Sequence, residues 1–263
     1  MAKVKGISGL QVWIEVAGKP VREINVPDDS KDARQPPVLK CQTQSRGNNP
    51  TCPREIKSGY IAQYIEVESG TRPSVQFAKA ADFPYEADHI AYSVQFDDTT
   101  LKIRHQPPNL INDSWEDNTD GVVVSTKEEQ KSQLFRFADL TCVDGECRSV
   151  SYDETSSVGS IRVRVYHMRS HRPEKDGHYY CAVDSGENII SETDMKGRVI
   201  SHCLDVENGK NIEDPEPEYE NNFLDEEELP FAVFDFYYRS RGSWSFSILS
   251  FGITPLMSPL HAH

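Results

Sequence analysis

The chain has 263 residues, of which 37% are hydrophobic and 10% aromatic, and its formal net charge is -14. A chain of this length can bury a core, and its aromatic content argues against wholesale disorder. The negative total argues against the broad basic face that nucleic-acid backbones need, so we do not expect nucleic acid as a partner.

The amino-terminal residues contain no apolar segment of signal-peptide length, and no window reaches the 18 apolar residues of a membrane-spanning helix. We therefore expect a protein of the cytoplasm, the nucleus or both, without membrane association.

Alternating apolar and polar residues, the period of a strand with one buried face, recur along the chain. The first such segment covers residues 9–16, and after a turn at 18–20 the segment 23–26 is predicted to return as a hairpin strand. Pro and polar residues dominate positions 27–57, which predicts a long polar loop or insertion. Further strands are predicted at 60–68, 73–78, 89–96, 121–126, 133–140 and 160–168, with weaker patterns at 178–183 and 198–204.

Two segments carry the clearest strand patterns. In residues 160–168, Ile161, Val163 and Val165 alternate with polar residues, so we expect these three side chains to face the core. Residues 231–238 are rich in Phe, Tyr and Val, whose burial contributes strongly to stability, and this strand is predicted to belong to the core.

Acidic residues dominate positions 205–228, directly before the aromatic strand. Many carboxylates close together repel one another and cannot be buried as a group, so we expect a solvated, mobile loop. The regular succession of short strands favours a mainly β protein, a single antiparallel β-sandwich with long polar loops. Its predicted domain covers residues 1–242, and 243–263 form a C-terminal tail.

Four segments carry a resemblance to a known family. In order, they read Gly-Leu-Gln-Val-Trp-Ile-Glu-Val (9–16), Tyr-Ile-Glu-Val-Glu-Ser-Gly (64–70), Val-Gly-Ser-Ile-Arg-Val-Arg-Val-Tyr (158–166) and Phe-Asp-Phe-Tyr-Tyr-Arg-Ser-Arg-Gly (234–242). They resemble a large fungal family of uncharacterised β-sandwich proteins whose last strand ends in Tyr-Arg-Ser-Arg. The resemblance implies the fold and an intracellular location, and it implies no activity, cofactor or site residue. The chain departs from that family after Gly242, where an Ala/Leu-rich helix is usual.

The best metal-ligand candidates are His167, His171, His178 and Cys181, because imidazole and thiolate are the ligands that zinc prefers. Their spacing fits no standard zinc finger, and the first two would lie far apart along a strand. We therefore expect no metal and no other cofactor.

Cys142 and Cys147 flank Asp144-Gly145, a pair typical of a two-residue hairpin turn. Such a hairpin would place the two cysteines opposite each other, close enough for a disulfide. Two free thiols in a reducing compartment and a redox-sensitive pair both remain open.

Arg239 and Arg241 follow a run of aromatic residues that includes Tyr237. Arginine suits carboxylates and phosphates, and Tyr and Arg are enriched at protein interfaces, so these three are candidate binding residues. The alternative is that both arginines pair within the chain, with the acidic segment or another loop.

The chain contains no nucleophile elbow and no phosphate-binding glycine loop. The leading hypothesis is therefore an intracellular, non-enzymatic interaction module that binds a protein partner. The alternative is an enzyme, or an accessory factor of a biosynthetic or regulatory pathway, with a site in a cleft of the sandwich.

Overall fold

The structure of the protein is a computed structural model. It describes residues 2–3, 8–25, 40–41, 54–55, 59–83, 87–97, 99–101, 103–125, 130–143, 158–169, 189–191, 202–211, 219, 221–224 and 229–240.

Strands dominate these residues, as the alternating patterns predict. They are β1 (Ala2–Lys3), β2 (Leu10–Val16), β3 (Lys19–Pro20), β4 (Glu23–Asn25), β5 (Lys40–Cys41), β6 (Arg54–Glu55), β7 (Gly59–Glu66), β8 (Pro73–Lys79), β9 (His89–Phe96), β10 (Thr99–Thr100), β11 (Arg104–His105), β12 (Trp115–Thr119), β13 (Gly121–Ser125), β14 (Gln130–Asp139), β15 (Thr141–Val143), β16 (Ser160–Met168), β17 (Ile189–Ser191), β18 (His202–Asn211) and β19 (Ala232–Arg239). Helical structure in the described ranges is limited to a 3-10 turn at Pro108–Leu110, and no helix there could cross a membrane.

Two principal sheets enclose the core. The first has the order β1-β2-β8-β12, with β3 attached to β2, and the second has the order β10-β9-β16-β19-β7-β4, with β11 attached to β9. One hydrophobic cluster joins their inner faces, including Val12 and Phe77 from the first sheet and Val163, Phe234 and Phe236 from the second. The predicted mainly β, sandwich-like fold is confirmed.

The alternating segment of β16 packs as the sequence predicts. Ile161, Val163 and Val165 are fully buried in the core. The aromatic strand β19 lies at the centre of the second sheet, between β16 and β7, and all eight of its residues are buried. Both strands are therefore integral to the sandwich.

The second sheet is mixed, whereas the sequence pattern predicts antiparallel pairing. β19 pairs with β16 antiparallel and with β7 parallel, in register from Ala232 beside Gly59 to Arg239 beside Glu66. Parallel neighbours need a long connection, which the separation of these two strands along the chain provides.

The predicted hairpin return at 23–26 is wrong. After the turn at Ala17 and Gly18, which both have positive φ, only the two-residue β3 pairs back with β2. Glu23–Asn25 pairs instead with β7 of the second sheet. The chain thus crosses between the two sheets here. The prediction was wrong because the alternating pattern of β4 specifies a strand but not its partner strand.

A third sheet, β13-β14-β18, closes one side of the sandwich. Its inner side chains Phe135 and Phe137 are fully buried, with ring centroids 4.1 Å from Phe96 and 4.9 Å from Tyr238 respectively. The core is therefore built from three sheets.

The expectation of a loop throughout 205–228 is wrong for its first part, since β18 extends to Asn211. Leu204 and Val206 pack against the core, while Asp205 and Glu207 reach Arg136 and Arg72 on the other side. Alternation lets a strand hold these carboxylates at the surface without burying them together. Of residues 212–228, the structure describes 219 and 221–224.

Smaller pairings complete the described structure. Within the predicted polar loop 27–57, β5 and β6 form a two-stranded antiparallel sheet, and β15 pairs with β17 in parallel. The weak strand pattern at 178–183 and the predicted tail 243–263 fall outside the described residues.

Candidate functional site

The outer side of the second sheet carries a group of polar and aromatic side chains from four strands. Paired residues share a face, so the register places Arg162 beside Gln95 and Asp235, and Arg164 beside Ser93 and Val233. We call this surface the Arg/Tyr face. Its members are Tyr60 and Tyr64 of β7, Ser93 and Gln95 of β9, Arg162, Arg164 and Tyr166 of β16, and Val233, Asp235, Tyr237 and Arg239 of β19.

Asp235 is the anion at the centre of this face. Arg162 donates to it through Nε at 2.6 Å and Nη2 at 2.8 Å, and the Tyr60 hydroxyl donates at 3.0 Å. The Asp235 side chain is 1% exposed and that of Arg162 23% exposed. The hydrogen bond to Asp235 raises the pKa of Arg162, and burial, with the charge of Asp235, holds the pKa of Tyr60 far above its usual value. These groups therefore keep their protons and form a fixed, neutral pair with an attached hydroxyl.

Arg164 differs from its neighbour Arg162. It is half-buried and donates through Nη2 to Gln95 Oε1 at 2.7 Å. Among the described residues no carboxylate lies within ion-pair distance of its guanidinium. Burial lowers the pKa of Arg164 and the positive charge of Arg162 lowers it further, while Tyr166 and the negative charge of Asp235 act in the opposite direction. Its charge is thus partly desolvated, and in the part of the chain that the structure describes Asp235 acts on it without forming an ion pair.

The structure places the sequence-predicted Tyr237 and Arg239 on the same face. Arg239 is 5% exposed, and its Nη1 donates to the carbonyl oxygens of Gly159 at 2.9 Å and Tyr238 at 2.7 Å. Its guanidinium carbon lies 5.8 Å from the ring centroid of Tyr64 and 5.9 Å from that of Tyr237. Arg239 is therefore enclosed by aromatic rings and backbone, and a direct contact with a ligand stays a prediction. Arg241 lies outside the described residues.

The predicted metal ligands are not brought together in the described structure. His167 is 7% exposed and stacks on Phe231, with ring centroids 4.0 Å apart. His171, His178 and Cys181 lie outside the described residues. Within those residues, no group of three or more His, Cys, Asp or Glu side chains is arranged to hold a metal ion.

The predicted cysteine pair is described only at its first member. The backbone of Cys142 belongs to β15 and pairs with Ile190 of β17, and Cys147 lies outside the described residues. A different cysteine, Cys203, is buried, and burial raises the pKa of its thiol to about 12. A thiol in that state is a poor nucleophile.

A buried carboxylate, that of Asp97 at the end of β9, forms hydrogen bonds with β18, with β19 and with the residue that precedes β16. Asp97 has a positive φ of 50° and accepts hydrogen bonds from the Tyr238 hydroxyl, at 2.7 and 2.8 Å, and from the backbone N–H of Gly159 and Leu204. Burial raises the pKa of Asp97 to about 6, although these hydrogen bonds act in the opposite direction. Its enclosure by donors makes Asp97 a structural group.

Sequence reasoning missed the pairing at the centre of the Arg/Tyr face. Arg162 and Asp235 are 73 residues apart, and neither stands out alone. A usable signal existed: both are charged residues at outward positions of strands whose inward positions are strongly apolar. A charge in such a place needs a partner, which points to the neighbouring strand.

One family model matches this chain. It is described as a domain of unknown function (DUF7918), and it covers residues 9–245. The resemblance to an uncharacterised family is confirmed in this form. Among curated proteins and among solved structures, none matches the chain.

Proposed function

We propose that this chain is a non-enzymatic interaction module that binds a protein partner through the Arg/Tyr face. The chain belongs to the family described as a domain of unknown function (DUF7918). The observation that carries the proposal is the concentration of Tyr and Arg side chains from three adjacent strands on one sheet face. Tyr and Arg are the residue types that dominate binding energy at protein interfaces.

The face is also held in place before any partner arrives. Asp235 fixes both Arg162 and Tyr60, and Arg239 lies against the rings of Tyr64 and Tyr237. Side chains ordered in the free protein lose less conformational entropy on association. Tyr60, Tyr64, Arg162 and Arg164 all keep part of their surface exposed, so these four side chains remain accessible.

The protonation states on this face favour binding over catalysis. The pKa values of Tyr60 and Arg162 are shifted upward, away from neutrality. A general acid or base works best with a pKa near the operating pH. We therefore favour the interaction role over an enzyme with a site in a cleft.

We also propose that the protein acts in the cytoplasm or the nucleus, and the fungal distribution of its family stays a prediction. Imaging of a fluorescent fusion in cells of the source organism tests the location. Exclusive labelling of the secretory pathway or of membranes would contradict it.

Covalent footprinting tests the proposed surface. A partner captured from native extract is purified with the protein, and hydroxyl-radical labelling is compared with and without it. We expect protection of Tyr60 and Tyr64. Trp13, half-exposed on the outer face of the first sheet, serves as the internal control and should label equally in both states.

Matched variants complete the test. Tyr64→Ser removes an aromatic group from the Arg/Tyr face, and Trp13→Ser makes the same kind of change on the first sheet. Binding should weaken at least about tenfold in the first variant and stay within about twofold in the second, because aromatic anchors carry much of the binding energy. Protection of Trp13 instead of the tyrosines, or equal effects of both variants, would overturn the assignment of this face.

A further inference from the structure

Three arginines lie on the Arg/Tyr face, and their guanidinium groups have different hydrogen-bond acceptors. Arg162 has a two-pronged ion pair with Asp235, and Arg239 donates to two backbone carbonyl oxygens. Arg164 donates to the neutral oxygens of Gln95 and Tyr166. In the part of the chain that the structure describes, Arg164 is therefore the arginine of this face without an anionic or backbone acceptor.

The surroundings of Arg164 make its charge unfavourable in the free protein. It lies between the buried Ser93 and Val233 in the register of the sheet, and Arg162 is the next outward residue on the same strand. Partial burial of a charge without a counter-ion destabilises a protein, and a like charge nearby adds to the cost. The negative charge of Asp235 offsets part of this cost, and an incoming anion would offset more of it.

The guanidinium also retains hydrogen-bonding capacity. Arginine carries five N–H donors in a planar fork, and two neutral acceptors do not exhaust them. The planar fork of a guanidinium matches the two oxygens of a carboxylate. Arg162, the next outward residue of β16, forms this pairing with Asp235.

We propose that Arg164 anchors a carboxylate-binding site, which takes one Asp or Glu side chain of an extended partner peptide. This rests on the interaction role proposed above and specifies the chemistry of the partner. A positive charge that has no ion-pair partner among the described residues selects an anion, while the partly exposed ring of Tyr60, on the same face, offers apolar surface to the residues that flank it. The net charge of -14 repels a polyacidic ligand at long range, so a single carboxylate in an otherwise uncharged segment fits best.

Selection from a random peptide library displayed on phage tests the site and requires no identified partner. Four proteins are compared: wild type, Arg164→Gln, Arg164→Lys and Arg169→Gln. Arg169 is the matched control, because it is exposed, follows the same strand and its guanidinium donates to the carbonyl oxygen of Leu224. Wild type and Arg169→Gln should enrich peptides with one Asp or Glu at a fixed distance from apolar or aromatic residues.

Arg164→Gln should lose the enrichment for the acid while still selecting the apolar residues. A synthetic peptide from the wild-type selection should bind wild type at least about tenfold more tightly than its Gln counterpart, a difference of about 1.4 kcal/mol. Arg164→Lys should retain only part of that preference, since an ammonium group cannot bind both oxygens in the same plane.

The two proposals fail in different ways. If wild type and Arg164→Gln select the same peptides without a fixed acid, the carboxylate site is overturned and the interaction role stands. If wild type enriches no peptide, both are overturned. Stronger competition by inorganic phosphate than by acetate would also overturn the carboxylate assignment in favour of a phosphate site.

Thermal unfolding gives an independent readout. Because Arg164 is a partly buried charge with no ion-pair partner in the described part of the chain, Arg164→Gln should leave Tm unchanged or raise it. A fall of more than about 5 °C would show that Arg164 supports the fold, and would overturn its role as an anchor kept for binding.

Discussion

The two faces of the β16–β19 pair are both largely buried, but different forces hold them. On the inner face, Val163, Phe234 and Phe236 are fully buried among the apolar residues of two sheets. On the outer face, Asp235 accepts hydrogen bonds from Arg162 and from Tyr60. The inner face depends on volume and shape, and the outer face depends on matched charges and hydrogen bonds.

This difference shows where the domain can accommodate binding chemistry. A charge placed among Val163, Phe234 and Phe236 would be surrounded by apolar side chains, whereas the outer face already contains partners for polar groups. Arg164 shows what such a face permits, since its charge stays partly exposed and available to a ligand. The following predictions compare the two faces, from the largest expected effect to the smallest.

Truncation of the inner face should have the largest effect. Phe236→Ala removes a fully buried ring from the core, and we expect a loss of about 3–5 kcal/mol in the free energy of unfolding. Phe236→Leu, which keeps most of the volume, should lose about 1.5 kcal/mol or less. Urea unfolding followed by circular dichroism measures both, and similar losses for the two would contradict a closely packed inner face.

The ionisation of the buried Asp97 carboxyl group should make the free energy of unfolding depend on pH. Its pKa in the folded protein is about 6, above its ordinary value of 3.8. The stability that this group contributes is therefore fully present below pH 3.8 and is lost as the pH rises through 6. Relative to Asp97→Asn, the wild type should lose roughly 2 kcal/mol of stability between pH 4 and pH 7.

The variant Asp97→Asn should thus be most damaging at pH 4 and least damaging at pH 7. Asp82→Asn, at an exposed position, is the control and should show no such trend. Urea unfolding at several pH values tests the sign. A difference between wild type and Asp97→Asn that grows with rising pH would contradict the assigned shift.

Breaking the ion pair of the outer face should have a smaller but clear effect. Asp235→Asn leaves Arg162 without a counter-ion, and we expect a loss of about 2–3 kcal/mol, below the cost of a fully buried pair because Arg162 is 23% exposed. The double variant Arg162→Met with Asp235→Asn should lose less than the sum of the two single changes, by about 1 kcal/mol or more. Strict additivity in chemical unfolding would show that the pair is not coupled.

Breaking an exposed ion pair that lies outside both faces should have the smallest effect on the free energy of unfolding. Arg72 and Glu207 lie 2.8 Å apart, but their side chains are 55% and 42% exposed. Arg72→Gln should change the free energy of unfolding by no more than about 0.5 kcal/mol, since water and salt screen such a pair. A loss of stability comparable to that of Asp235→Asn would mean that burial does not explain the difference between the Arg72–Glu207 and Arg162–Asp235 pairs.

The local patterns of the sequence were sufficient to predict the clearest strands and their inner faces. Ile161, Val163 and Val165 lie in the core because a period of two places every second side chain on the same side of a strand. The same reasoning located β2, β8, β9 and β19 to within a residue or two at each end. The acidic composition of 205–228 was a poorer guide, because charged and apolar residues alternate through Asp205 and Glu207 and allow a strand there.

The sequence by itself thus determined that the protein is built of strands and which side chains of the clearest strands are buried. Only the tertiary structure decided that β4 pairs with β7, that β7 and β19 run parallel, and that Arg162 meets Asp235 while Arg164 meets no described carboxylate. The reason is physical: alternation is a property of neighbouring residues, whereas the choice of a partner strand and its register depends on how distant segments pack together.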